Sequence, residues 1–278
     1  MSAPVVLKFG GELLEEPNRL ATVVAAVARL HTAGVPLVIV HGGGKEIDAA
    51  LHAEGIPKRQ VDGLRITDAA TLQVVVRVLA GSINTRLSAA LNVAGVSAVG
   101  LTGADGRCGL TVPAPPHRAT DGSMVDLECV GIPSDAADMR VLHALTHAGH
   151  VPVIACIGCG DDGRLFNVNA DTFAGHVAAR LPARRLTIAG TTPGVFDAAG
   201  TTIPVVNPAG VDAMIASGTA TAGMIAKLRA CTEALAHGVG DVLIVDGRDE
   251  EALVSAVLHG RSAQATTIVP GHRPATQP

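Results

Sequence analysis

Two short segments combine glycine with a polar or cationic neighbour. Lys8-Phe9-Gly10-Gly11 closes the apolar run Val5–Phe9, and His41-Gly42-Gly43-Gly44 closes a second run, Pro36–His41, just before Lys45 and Glu46. Glycine lets backbone N–H groups approach an anion closely, and a helix that starts at such a loop adds partial positive charge. Two such loops at neighbouring strand ends, one led by a lysine, make a cradle for a phosphate group. The common nucleotide fingerprints are absent. Gly44-Lys45 is followed by Glu46 rather than Ser or Thr, and position 39 is Ile, so this is no Walker loop. Gly158-x-Gly160-x-x-Gly163 matches a dinucleotide pattern in letters only. Its Asp161 and Asp162 would repel a pyrophosphate and a strand-like stretch follows, so it reads as a hairpin turn.

Three further segments carry polar chemistry. Arg65, in Gly63-Leu64-Arg65-Ile66-Thr67, has the fork geometry to hold a carboxylate. In Asn167-Val168-Asn169-Ala170-Asp171, alternation places Asn167 and Asn169 on one strand face, with Asp171 entering the next helix. Lys227 lies in Gly223-Met224-Ile225-Ala226-Lys227 at a helix start, and lysine occurs elsewhere only at positions 8, 45 and 58. Cys156 and Cys159 form a C-x-x-C without a second pair at zinc spacing. They read as small core residues, and no metal site is expected in the protein.

These groups need rigid elements to position them. Short β-branched runs at 5–9, 36–41, 97–101, 151–156, 185–189 and 241–246 alternate with helical stretches at 16–33, 44–54, 68–94, 135–149, 170–181, 208–217, 222–237 and 249–259. That alternation predicts a three-layer α/β/α sandwich with a central, mostly parallel sheet. Residues 56–66 and 106–132 read as hairpins and loops inserted between these elements. Two lobes are expected, divided at 1–173 and 174–278.

Composition narrows the function. The chain has 278 residues, 48% of them hydrophobic, and a formal charge of −4 without a basic block. It has no Trp or Tyr and four Phe, so neither a phosphate-backbone footprint nor a base-stacking platform is present, and no nucleic-acid partner is expected. Mean hydropathy is +0.38, yet no uninterrupted apolar run approaches the ~18 residues of a spanning helix, so no membrane partner is expected. Five cysteines and the lack of a signal-peptide pattern point to the cytoplasm.

Taken in order, the segments at 8–11, 41–44, 63–67, 167–171 and 223–227 resemble those of the amino acid kinase family. The segments at 63–67 and 167–171 are closest to its acetylglutamate branch. The resemblance implies phosphoryl transfer from MgATP to the γ-carboxylate of N-acetyl-L-glutamate, the second step of arginine biosynthesis, with no covalent phospho-enzyme. It implies that Lys8 and Lys227 neutralise the moving phosphoryl group and the leaving phosphate, and that Asp171 holds both ammonium groups. The N–H groups of Gly10, Gly11, Gly43 and Gly44 would line the phosphoryl path, and Arg65 and Asn167 would grip the small-molecule substrate. Mg2+ would ride on the ATP phosphates. The first lobe would bind the acyl amino acid and form a homodimer, and the second would bind ATP. Ala104 and Thr191 depart from the family pattern, where a Lys and an acidic residue are usual. The same residues also suit a kinase of another N-blocked acidic amino acid, such as succinylglutamate or a carrier-linked aminoadipate. Joint retention of Lys8, Asp171 and Lys227 argues against a non-catalytic binding protein.

Arginine-sensitive members of the family place an extra helix before the first strand, interlacing dimers into a hexamer. Only Met1–Pro4 precede Val5 here, a reach of at most ~14 Å. The expected outcome is a dimer in sedimentation and turnover unaffected by millimolar arginine. A hexamer, or sigmoidal substrate curves with arginine, would contradict it.

Overall fold

The computed structural model describes residues 3–218, 222–262 and 265–270. The first half runs β1 (Val5–Phe9), α1 (Pro17–Thr32), β2 (Leu37–His41), α2 (Gly44–Ala53), the hairpin β3 (Gln60–Val61) and β4 (Leu64–Arg65), then α3 (Ala69–Val76). A π-helical segment, Arg77–Ile83, joins α3 to α4 (Asn84–Val93), and β5 (Ala98–Thr102) follows. Next come four short strands, β6 (Thr111–Pro113), β7 (His117–Arg118), β8 (Met124–Val125) and β9 (Val130–Pro133), then α5 (Arg140–His147). The remainder is β10 (Val151–Ala155), β11 (Ile157–Cys159), β12 (Leu165–Val168), α6 (Ala170–Arg180), β13 (Arg185–Gly190), β14 (Val205–Val206), α7 (Pro208–Ala216), α8 (Ala222–Ala236), β15 (Asp241–Asp246), α9 (Glu250–His259) and β16 (Ala265–Ile268).

Eight strands form one sheet in the order β14-β16-β15-β13-β1-β2-β10-β5. Every pair is parallel except β15 with β16. The central strands are buried on both faces, which explains their unbroken apolar character. Helices α5, α6 and α8 pack on one face and α1, α4 and α9 on the other. The expected α/β/α sandwich is present. Residues 173 and 174 lie inside α6, and the pairing of β1 with β13 carries the sheet without a break from the first half of the chain to the second.

Several local expectations changed. The helix expected over 135–149 starts only at Arg140, because the preceding residues turn around Ser134 and Asp138. The stretch 106–132 contributes real strands: β6 and β9 join β11 and β12 in a second, four-stranded sheet. The G-x-G-x-x-G segment keeps its expected role, running from the end of β11 into the hairpin turn to β12, with Gly163 at φ +82°. The helical stretch Ala69–Val93 is long and apolar enough, by length and composition alone, to cross a bilayer. It is an amphipathic packing helix instead. Val74, Val75, Leu79, Ile83, Leu87 and Leu91 are buried, while Arg77 pairs with Glu54 and Arg86 with Glu46 on its other sides.

Candidate active site

The carboxyl ends of β1 and β2 lie side by side, and the two glycine loops leave from them into one cleft. Lys8 is the single charged residue of β1 and is 7% exposed. Asp171 enters from the first turn of α6, and Lys227 from α8. Lys8 Nζ lies 2.8 Å from Asp171 Oδ1, and Lys227 Nζ lies 3.3 Å from the same atom and 3.4 Å from Oδ2. Two ammonium groups thus share one buried carboxylate, with the Glu12 carboxylate as a further negative charge acting on Lys8.

The electrostatics follow from that sharing. Burial alone would raise the Asp171 pKa, but the two lysines pull it down to about 2. Burial opposes a charged Lys8, yet the close carboxylate outweighs it and holds Lys8 above its ordinary value. Lys227 goes the other way, because burial and repulsion from Lys8 outweigh its longer contacts with Asp171. Cys156 and Cys231 stand beside this group, and burial pushes both thiols up to about 12, so they border it as neutral groups.

The two loops touch. A Cβ on Gly11 would sit 2.6 Å from the Gly43 Cα, and a Cβ on Gly43 would overlap Ile83 Cδ1 and lie 2.9 Å from Leu79 Cδ2. Close approach of backbone requires glycine at position 11, while at position 43 a side chain would have to displace the ends of Ile83 and Leu79. A Cβ on Gly44 would meet no protein atom within 4 Å, so its surface faces open space. Among the described residues, the N–H groups of Gly11, Gly43 and Gly44 have no hydrogen-bond acceptor, and α2 begins without a side-chain cap. Gly10 corrects the expectation that all four glycines offer free donors. Its N–H donates to Ala189 O at 3.0 Å, because the sheet ladder runs one residue past β1.

Arg65 approaches from the β3–β4 hairpin. Its Nη2 donates to Asp48 Oδ1 at 2.5 Å and to Gly44 O at 3.3 Å, which ties the hairpin to the glycine loop. Its Nη1 is buried without a partner among the described residues. Lys58 Nζ holds the other Asp48 oxygen at 2.6 Å. Asn167 Nδ2 donates to the buried Thr67 Oγ1 at 3.0 Å, so its amide belongs to this side of the cleft. Asn169 does not share a strand face with it. β12 ends at Val168, and the Asn169 Oδ1 caps α6 by accepting from the N–H groups of Asp171 and Thr172 at 2.9 and 3.1 Å.

Asp48 and Lys58 are not singled out as site residues by the sequence, and Thr67 only as the end of the Gly63–Thr67 segment. Asp48 is one turn beyond Gly44 on the expected helix; what the sequence did not show is its pairing with Arg65 and Lys58. Glu12 was also missed. Its carboxylate folds against Gly10 and lies 3.4 Å from where a Cβ on Gly190 would be. Cys156 is buried beside Lys8 and Cys159 Sγ contacts Gly160 O at 3.4 Å. No group of three His, Cys, Asp or Glu with metal-holding geometry occurs among the described residues.

Residues 3–246 match the family model described as amino acid kinase family. The chain belongs to the amino acid kinase family. It is 43% identical over 256 residues to the acetylglutamate kinase of Granulibacter bethesdensis, covering 90% of this chain and 85% of that one. It is 42% identical to the acetylglutamate kinase of Acidiphilium cryptum, covering 88% and 83%. In fold it is similar to the N-acetylglutamate synthase from Neisseria gonorrhoeae complexed with coenzyme A and N-acetyl-glutamate, with a TM-score of 0.83 at 24% identity. That match takes in 98% of this chain but only 60% of the synthase. The carbamate kinase from Giardia lamblia bound to AMP-PNP shares the fold at TM-score 0.68 and 17% identity, over 98% and 100% of the two chains.

A carboxylate held at about 2 instead of its ordinary 3.8 stabilises the fold at every pH above its unfolded value, and that contribution disappears as pH falls through about 2. Asp171→Asn should therefore show a shallower loss of stability between pH ~4 and ~2. It should also cost about 3–5 kcal/mol at neutral pH by leaving two buried ammonium groups unpaired. Denaturant midpoints measured across pH give both quantities, and an unchanged acid limb would contradict the shared-carboxylate account.

Proposed function

We propose that this kinase phosphorylates the γ-carboxylate of N-acetyl-L-glutamate with MgATP, yielding the acyl phosphate and ADP in the second step of arginine biosynthesis. The observation that carries the reading is the Lys8–Asp171–Lys227 group facing two glycine loops with free N–H donors. Identity of up to 43% to acetylglutamate kinases over most of the chain supports the choice of substrate.

The substrate carboxylate is itself the nucleophile, so the chain needs no activated side chain. It must hold two anions in line and neutralise the charge between them. Lys8, at the end of β1, neutralises the phosphoryl group in transit, and Lys227, on α8, the leaving phosphate. Asp171 fixes both ammonium groups and takes no proton, since it stays ionised well below neutral pH. The N–H groups of Gly11, Gly43 and Gly44 donate to the phosphoryl oxygens as negative charge develops on them. Gly10 contributes clearance only. The unpartnered Nη1 of Arg65 and the Asn167 amide hold the α-carboxylate and the amide end of the substrate. Residues 1–173 would supply the acyl-amino-acid side and 174–278 the ATP side.

Unpartnered N–H groups and two ammonium groups fit polyphosphate, so Mg2+ enters as part of the nucleotide and shields its phosphate charges. The homodimer belongs to the same reading. β5 ends the sheet with a free edge, and beside it Val93 is 91% exposed at the end of α4. A two-fold contact there would cover both.

A coupled ADP-release assay with N-acetylglutamate tests the activity; release with succinylglutamate alone would point to the other substrate. Lys8→Ala should lower kcat by about 10²–10³-fold, the scale of one preorganised donor, without loss of fold. An unchanged kcat removes Lys8 from the mechanism. Arg65→Ala should raise KM for the amino acid by about one to two decades, equivalent to roughly 1.5–3 kcal/mol for a charged hydrogen bond. A rise confined to the KM for ATP would place Arg65 elsewhere.

A further inference from the structure

His41 is the last residue of β2 and is wholly enclosed. It stands immediately before the glycine loop. Its two ring nitrogens have different partners. Nδ1 lies 3.2 Å from Gly42 O, and Nε2 lies 3.1 Å from the Asn84 Nδ2 amide. A carbonyl oxygen can only accept, so Nδ1 holds the proton. Asn84 is oriented by two further acceptors. The same amide nitrogen donates to Val153 O at 2.8 Å and lies 3.3 Å from Leu101 O. Turning the amide over would set its oxygen against two carbonyls, so its nitrogen faces His41 and Nε2 must accept. The tautomer is determined by geometry alone. Burial, assisted by the nearby Arg86 charge, pulls the ring down to about 4, so it is neutral at physiological pH.

The bond to Gly42 has a consequence one atom further along. In a trans peptide the C=O and the following N–H point in opposite directions. With the Gly42 carbonyl drawn to the imidazole, the Gly43 N–H is turned to the other side of the peptide plane. That N–H is one of the donors without an acceptor. The loop is pressed from the same quarter by Ile83 and Leu79, which occupy the space a Gly43 side chain would need. Both side chains belong to the π-helical segment, and Asn84 is the first residue after it.

We propose that His41 and Asn84 are positioning residues: the Asn84 amide fixes His41 as the Nδ1–H tautomer, and His41 clamps the Gly42 carbonyl so that the Gly43 N–H is aimed at the transferring phosphoryl group. The proposal rests on the kinase reading and adds to it the device that orients one of its donors.

Asparagine and glutamine separate the two halves of the imidazole. The Asn amide nitrogen falls near the Nδ1 position and can still donate to Gly42. A Gln amide reaches the Nε2 position, keeping the Asn84 contact and losing the clamp. His41→Gln should lower kcat by about 10²-fold, the effect of misaiming a group by around 1 Å, with KM for both substrates little changed. His41→Asn should retain most of the turnover at a similar melting temperature. Equal losses in the two variants, or losses that follow melting temperature, would overturn the clamp. Nitrogen-15 NMR of the unsubstituted, histidine-labelled chain reads the tautomer without any variant; a proton on Nε2 overturns the proposal even if neither variant folds. Turnover of the unsubstituted chain is measured alongside. Its absence sinks the kinase reading and the proposal together, whereas an active chain whose Gln variant matches its Asn variant sinks the clamp alone.

Discussion

The structure is organised around one carboxylate that serves two lysines. Burying Asp171 costs several kcal/mol of lost hydration, as does burying each ammonium group, and only close mutual pairing offsets that cost. The pairing needs β1, α6 and α8 to converge to within hydrogen-bond reach, with contacts of 2.8 and 3.3 Å. Within this group the lysines outnumber the carboxylate two to one, with Glu12 as a further negative charge acting on Lys8.

Steric limits complement that charge. Gly11 approaches the Gly43 backbone too closely for any side chain, and the ends of Ile83 and Leu79 fill the space behind Gly43. The loops therefore stack as a thin floor in which the N–H groups of Gly11, Gly43 and Gly44 have no acceptor among the described residues. The floor has buried support: Asn84 bonds to the strand carbonyls of Val153 and Leu101, and through His41 reaches the loop itself. A π-helical turn, with its altered side-chain directions, lies directly before Asn84.

The β3–β4 hairpin carries a further, largely buried cation. Arg65 is already half engaged, with Asp48 holding Nη2 and leaving Nη1 buried and unpaired. An unpaired buried donor costs about 1–3 kcal/mol, which an incoming carboxylate would recover. Thr67 links this hairpin, through Asn167, to β12, the strand that leads into α6.

Much was legible in the sequence because it is local. Period and composition determined six of the main sheet's strands and most of the helices, since a parallel strand buried on both faces must read as a continuous apolar run, as Val5–Phe9 does. Lys8, Asp171 and Lys227 were identifiable as polar residues in apolar contexts beside glycines. What local pattern could not carry was partnership. Asn169 looked like a companion of Asn167 until the end of β12 made it a helix cap. Gly10 looked like its neighbour Gly11 until the sheet claimed its N–H. His41 and Asn84 are 43 residues apart, and nothing in their spacing announces a bond. Contacts of that kind depend on sheet order and on the rotation of one helix about its axis. Both are decided by packing of the whole core, and no short window of sequence contains that information.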